Sequence, residues 1–88
     1  MNKKERAELE AALSPLGVIM GQLEVMETAV SLLASAERDK YDGLSEGLQQ
    51  GDRGQAIEAA ADALDAMEEK IRDAIDSLAE VDPSNVGD

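Results

Sequence analysis

The chain of 88 residues carries 20 Asp and Glu against 8 Lys and Arg, a net charge of −12, and contains no Cys or His. This charge disfavours direct binding to nucleic acid or to anionic membrane surfaces, because both attract proteins through Lys and Arg. Without Cys and His there are no disulfides, no thiolate metal sites and no imidazole base. We therefore expect one small domain with no cofactor, no metal and no catalytic residue.

The first half of the chain predicts a short helix over about residues 3–13 and a long helix over 15–41. Apolar residues recur seven positions apart, and a second set follows each member three positions later, which keeps both sets on one helix face. The first set is Leu9, Leu16, Leu23 and Val30, and the second set is Ala12, Ile19, Met26 and Leu33. Pro15 predicts either a break or a kink, because Ser-Pro favours a new helix start while the apolar repeat keeps its phase.

Two further features of this half concern close approach and membranes. Gly17 and Gly21 lie away from the main repeat and are expected to let the N-terminal helix or a second subunit approach closely. We expect no apolar run of transmembrane length, and no membrane partner.

The middle of the chain, residues 42–52, predicts a turn region, because it contains three glycines. Leu44 and Leu48 are spaced to form one helical turn over the end of the bundle. A candidate site for a nucleotide or another anion combines the nearby basic and aromatic residues with the start of the next helix. Its residues are Arg38, Lys40, Tyr41, Arg53 and Gly54. The alternative is that Tyr41 covers the end of the bundle and Arg53 pairs with an acid.

The last helix is predicted over 53–81, with Asp52 and Gln55 as a capping box and Pro83 as its stop. Its first set is Ile57, Leu64, Ile71 and Leu78, and its second set is Ala60, Met67, Ala74 and Val81. Residues 83–88 are expected to form a flexible tail.

These elements predict an all-α fold, an antiparallel helical hairpin with a short N-terminal helix, as one domain over residues 1–82. Because one hairpin leaves much of each apolar face uncovered, we expect a homodimer or higher oligomer that completes a helical bundle. The predicted core and oligomer seam consists of Leu16, Ile19, Leu23, Met26, Val30, Leu33, Ile57, Leu64, Met67, Ile71 and Leu78.

The polar side of the last helix is acidic and is a candidate surface for a partner protein. This acidic face comprises Glu58, Asp62, Asp65, Glu69, Asp73 and Asp76. One interpretation is that it binds the basic groove of a protein; the alternative is a solvated face that keeps the protein soluble. The spacing fits neither a calcium-binding EF-hand loop nor a pair of catalytic carboxylates.

The stretch ERDKYDGLSEGLQQGDRGQA (37–56), followed by EAAADAL (58–64), resembles small acidic helical proteins encoded in phage and prophage genomes. The shared pattern is an acid, an aromatic residue and Asp, then a turn, then Leu-x-Glu and Leu-Gln, before an acidic Ala-rich helix. The resemblance covers about residues 37–81. It implies a phage context and a location in the bacterial host cytoplasm, and most of these proteins have no assigned function.

The sequence therefore predicts a non-enzymatic, phage-type accessory protein that binds, and inhibits, a host protein with a basic surface through its acidic helical surface, its loop, or both. One alternative is an oligomeric module that holds a nucleotide or another anion near Arg53. The other is a purely structural oligomer.

Overall fold

The computed structural model describes residues 1–86, and Gly87 and Asp88 lie outside the described part. The four α-helices are α1 (Lys3–Ala12), α2 (Leu16–Asp42), α3 (Glu46–Gln49) and α4 (Asp52–Ala79), followed by a 3₁₀ turn at Pro83–Val86. Residues 1–86 contain no strand. α2 and α4 pack along each other and α1 extends the rod, which measures 68 × 16 × 13 Å. The predicted all-α helical hairpin with a short N-terminal helix is confirmed.

α1 begins at a capping box formed by Asn2 and Glu5. The Asn2 side-chain oxygen accepts the Glu5 backbone N–H at 2.8 Å, and the Glu5 carboxylate accepts the Asn2 N–H at 3.2 Å. Two otherwise unpaired backbone donors are satisfied in this way. This cap was not predicted from the sequence.

The junction between α1 and α2 is a bend. The Leu16 N–H donates to the Leu13 carbonyl and the Ile19 N–H donates to the Pro15 carbonyl, both at 3.0 Å, so helical hydrogen bonding resumes directly after the turn. Pro15 itself has helical backbone angles and serves as the N-cap of α2. The missing Pro15 N–H removes one bond of the ladder, which bends the helix at that point.

The core of the hairpin is narrow, and its buried aliphatic residues are Ala34, Ala61 and Ile75. Each lies four positions after a member of the first set, namely Val30, Ile57 or Ile71. At about 100° per residue, a position four further on lies about 40° from the first set, whereas a position three further on lies about 60° to the other side. α2 and α4 therefore meet through the first set and the positions four residues after it.

This packing of α2 against α4 divides the predicted seam into half-buried and exposed members. Its first-set members are half-buried between the helices: Leu16, Leu23, Val30, Ile57, Leu64, Ile71 and Leu78. Its second-set members, in contrast, are exposed: Ile19, Met26, Leu33 and Met67. The contact between α2 and α4 is centred on the other side of the first set, so these large second-set side chains face outward in the hairpin.

The connection between the long helices contains the short helix α3. Ser45 caps it by accepting the Leu48 N–H at 3.4 Å, and the Gln49 side chain donates to the Tyr41 carbonyl at 3.0 Å. Leu44 is half-buried, but Leu48 is exposed. The prediction that both leucines cover the end of the bundle is therefore wrong for Leu48, which α3 directs outward.

The predicted capping box at the start of α4 is also wrong. The N-cap is Gly51, whose extended backbone (φ −80°, ψ 178°) has the geometry that this position needs, and no side chain caps the helix. Asp52 is the first residue of α4, where its negative charge interacts favourably with the positive end of the helix dipole. The Gln55 side chain donates instead to the Gln50 carbonyl at 3.2 Å.

α4 ends at Ala79, two residues before the predicted end at Val81. Beyond it, the Asp82 carboxylate accepts the Ser84 hydroxyl at 2.7 Å and the Ser84 N–H at 2.9 Å, and these hydrogen bonds lower the Asp82 pKa. The 3₁₀ turn that follows contacts α1. Residues 83–86 of the predicted tail thus have a defined turn, and residues 87 and 88 lie outside the described part; the flexibility of the tail stays a prediction.

Candidate interaction surfaces

The outer side of α2 carries six large aliphatic side chains in contact with solvent. They form adjacent pairs seven residues apart, which we call the α2 outer stripe: Val18, Ile19, Val25, Met26, Leu32 and Leu33. Each of them is between 45% and 70% exposed. Large apolar side chains scattered singly are ordinary on a protein surface, but a contiguous stripe along one helix marks an interaction site.

The α2 outer stripe lies away from α4. Val18, Val25 and Leu32 precede the second-set residues by one position, which turns them roughly opposite to the seam. The stripe is bordered by a shallow open depression lined by Gly21, Glu24, Val25, Thr28, Ala29 and Leu32. The sequence showed half of this stripe as the second set, but missed the first residue of each pair. The signal that could have found it is that α2 is apolar on almost all sides.

Gly17 and Gly21 do not make the close approach within the chain that the sequence predicted. A Cβ built on either glycine meets no atom within 4 Å. α1 therefore does not pack against this part of α2. The approach of a second subunit at these glycines stays a prediction.

The acidic face of α4 is divided between paired and unpaired carboxylates. Asp65 forms an ion pair with Arg38 across the hairpin. Glu58 accepts a hydrogen bond from the Tyr41 hydroxyl, and this bond, followed by burial, raises the Tyr41 pKa.

The remaining members of the acidic face are exposed and have no ion-pair partner among the residues that the structure describes. We call them the acidic row, which consists of Asp62, Glu69, Asp73 and Asp76. Three of them, Asp62, Glu69 and Asp76, are seven residues apart and lie on one line along α4. The arrangement provides negative charge along a rod without the convergence that a catalytic or metal site requires.

A second ion pair, between Glu27 and Arg72, was not found from the sequence. Arg72 lies 2.7 Å from one Glu27 carboxylate oxygen and 2.8 Å from the other. The Glu27 side chain is only 18% exposed, because it sits four positions after Leu23 in the seam. Its hydrogen bond and charge raise the Arg72 pKa. The signal in the sequence was one of only two acids within the apolar segment 15–36, on the α4-facing side of α2, and Arg72 as one of the few basic residues of α4.

The residues of the predicted anion site on α2 have partners within the chain. Arg38 pairs with Asp65, and Lys40 pairs with Glu37 at 2.8 Å. Both cations are thus offset by carboxylates of the chain itself, and the nearby Tyr41 hydroxyl is engaged by Glu58.

The helix start in this candidate site is partly covered. Gly54 is buried, and a Cβ on it would lie 2.6 Å from the Gln49 Cα, so α3 packs directly on the first turn of α4. Arg53 is exposed beside it, and its predicted pairing with an acid is not seen among the described residues. The arrangement does not favour a shared anion site.

The expectation that no apolar segment reaches transmembrane length is wrong. Taken together across the bend, Lys3–Asp42 is long and apolar enough to cross a membrane by length and composition. Between Pro15 and Ala36 the charged residues are Glu24 and Glu27 alone, and Gly, Ser and Thr interrupt the run only weakly. The core helix of a soluble protein passes the same test of length and composition, but such a helix is mostly buried, whereas the most apolar window of this segment has no buried residue.

Within residues 1–86, no group of three or more carboxylates could hold a metal ion. Comparison with protein-family models, with curated proteins and with solved structures found no match to this chain. The phage resemblance thus stays a prediction, and the two surfaces of the hairpin are the basis on which a function is inferred.

Proposed function

We propose that this chain is a non-enzymatic protein-interaction module that binds through the α2 outer stripe. The observation that carries the proposal is the exposure of six large aliphatic side chains in regular register on a helix whose opposite side is already packed. Removing such a stripe from water lowers the free energy of the system, which favours binding. The described carboxylates are spread along a rod, which supports a binding role over catalysis.

The test compares the wild type with two double variants of equal added charge. Val25→Glu with Leu32→Glu places two carboxylates on the stripe, whereas Ala63→Glu with Ala66→Glu places two on exposed positions of α4. Tagged and untagged copies are produced together in bacteria, the tagged chain is purified, and every co-purifying chain is identified by mass spectrometry.

We expect the stripe variant to lose the chains that the wild type and the α4 variant retain. All three proteins should show the same helicity by circular dichroism, because the altered side chains are exposed in the hairpin. If the stripe variant retains the same set of chains as the wild type, the proposal is wrong.

A second candidate function is binding of a basic protein surface by the acidic row. It is supported by the exposure of these four carboxylates and by the lack of ion-pair partners for them among residues 1–86. Exposed charges attract through water and are screened by salt, so such a complex should dissociate as ionic strength rises. On this view the partner is a host protein, as the phage resemblance implies, and binding inhibits it by covering its basic groove.

The acidic row is tested by removing three of its charges and comparing a variant of equal net charge. The row variant is Asp62→Asn, Glu69→Gln and Asp76→Asn, and the control is Glu8→Gln, Glu10→Gln and Glu80→Gln. Basic proteins retained from a bacterial lysate on the immobilised chain should elute at lower salt from the row variant than from the control. Equal elution from both variants would show that net charge alone is responsible.

A further inference from the structure

We infer that the occupant of the α2 outer stripe is a second copy of this chain, docked antiparallel through α2 to form a dimer in which the two α2 helices pack together. This inference rests on the proposed function and names the partner at the same surface. It is argued from the exposed area of the chain, from the distribution of its charge and from the symmetry of the stripe.

The exposed area of the single chain is too large for a compact monomer. A compact monomer of 9.3 kDa exposes about 5,000 Å² according to the scaling of surface with mass. This chain exposes 6301 Å², an excess of about 1,300 Å² over that expectation. A standard protein interface removes about 800 Å² from each partner. The excess is therefore sufficient for one full interface per chain.

The distribution of charge selects the side through which two copies can meet. Each copy carries a net charge of −12, so surfaces that bring the acidic faces together are disfavoured by repulsion. The α2 side is nearly free of charge: from Pro15 to Ala36 it contains Glu24 and Glu27, and Glu27 is already paired with Arg72. Docking through α2 leaves the two α4 helices on opposite sides of the dimer.

The symmetry of the stripe fits a two-fold axis at its centre. In a two-fold interface the same patch is used by both copies. With the two α2 helices antiparallel, the middle pair Val25 and Met26 meets its own copy, and each outer pair meets the outer pair at the other end of the partner. Antiparallel docking also keeps Asp39 and Asp42, at the end of α2, away from the same residues of the partner. Parallel docking would bring each charged end against its own copy.

The first measurement is the mass of the purified full-length chain by light scattering over a range of concentrations. We expect twice the chain mass of 9.3 kDa for the wild type and for Ala63→Glu with Ala66→Glu. We expect the single-chain mass for Val25→Glu with Leu32→Glu, at unchanged helicity. A stripe variant that stays dimeric would overturn the inference, because the copies would then meet elsewhere.

A second measurement uses engineered thiols and does not depend on the behaviour of the charged variants. The chain has no Cys, so a single introduced thiol can form a disulfide only with another chain. Val25→Cys should give a disulfide-linked dimer on mild oxidation, because disulfides require Cα atoms about 4.4–6.8 Å apart and Val25 lies next to the axis. Val18→Cys and the α4 control Ala66→Cys should remain largely unlinked. Linking at Val18 to the same extent as at Val25 would overturn the antiparallel arrangement.

A monomeric wild type would also overturn the inference, and flotation with neutral phosphatidylcholine vesicles would then separate two cases. If the wild type floats and the stripe variant does not, the stripe binds lipid, and the proposed function fails together with this inference. If neither floats, while the co-purification described above still depends on the stripe, the occupant is a different protein; the proposed function then stands and only this inference fails.

Discussion

α2 and α4 carry the same apolar repeat on their inner sides but opposite chemistry on their outer sides. The inner sides meet through Leu23, Val30, Ile71 and their neighbours and form one seam. The outer side of α2 is aliphatic, whereas the outer side of α4 carries the acidic row. The difference teaches that the first set of the repeat determines how the chain folds, while the second set of α2 and the residues between the members determine what each side can bind.

The largest difference between inner and outer positions is expected at Ile75, which is 4% exposed. Ile75→Ala should lower the free energy of unfolding by about 3 kcal/mol, because it leaves a cavity in the seam. Its control is Ile19→Ala on the α2 outer stripe, which should cost less than about 1 kcal/mol in dilute protein, since this side chain is exposed in the hairpin. Urea unfolding followed by circular dichroism measures both.

The variants Ile75→Ala and Ile19→Ala also test the inferred dimer. If a second copy covers Ile19, the cost of Ile19→Ala should increase with protein concentration, because association stabilises only the folded chain. The excess cost of Ile75→Ala over Ile19→Ala in dilute protein should remain. Equal costs for both variants at every concentration would contradict the division of the repeat into an inner and an outer set.

The first turns of α2 and α4 also differ in burial, and substitutions there are expected to give the next largest change in stability. Gly54 in the first turn of α4 is buried against Gln49, whereas a Cβ on Gly17 in the first turn of α2 meets nothing within 4 Å. Gly54→Ala should therefore destabilise the fold by about 1–3 kcal/mol through overpacking. Gly17→Ala should instead stabilise it by up to about 1 kcal/mol, because Ala is the better helix former. Thermal unfolding midpoints that move in the same direction would contradict this contrast.

The two ion pairs between α2 and α4 provide a smaller effect. Arg72→Gln leaves the Glu27 carboxylate, 18% exposed, without its partner, whereas Arg38→Gln leaves Asp65, whose side chain is 47% exposed. A carboxylate that water reaches is less dependent on its partner, so Arg72→Gln should lower the unfolding temperature more than Arg38→Gln. Adding Glu27→Gln to Arg72→Gln should restore part of the loss. An equal effect of both arginine variants would mean that the burial of Glu27 is unimportant.

The smallest effect is expected at Tyr41, where α2 and α4 meet at the loop end. A hydrogen bond with Glu58 raises the Tyr41 pKa above 10.0 in the folded chain. The stability that the neutral phenol contributes is therefore complete below the pKa of the unfolded chain and is lost as pH rises through the folded value. Tyr41→Phe should remove this part of the alkaline loss, as measured by urea unfolding on either side of that range. Parallel pH profiles for the wild type and Tyr41→Phe would contradict it.

Much of the fold was determined by local sequence. The bounds of α1, α2 and α4 follow the apolar repeat and the positions of Gly and Pro to within two residues, because periodicity and helix breakers act over a few neighbours. The cap of α4 was predicted one residue late, because Asp52 has a typical capping side chain but Gly51 has the extended backbone. The acidic face was also visible at once, since carboxylates on a regular helix need no tertiary contact to be exposed.

The sequence by itself thus determined the helices, the repeat and the charge of each helix. Only the tertiary structure decided which half of the repeat closes the hairpin. The contact can be centred on either side of the first set, and the way in which α2 and α4 pack places it on the side of the positions four residues later. The choice of positions four residues after the first set buried Ala34 and Ile75 and left Ile19, Met26 and Leu33 in solvent. Tertiary packing likewise used Arg38 in an ion pair with Asp65, because the antiparallel register places unlike charges side by side.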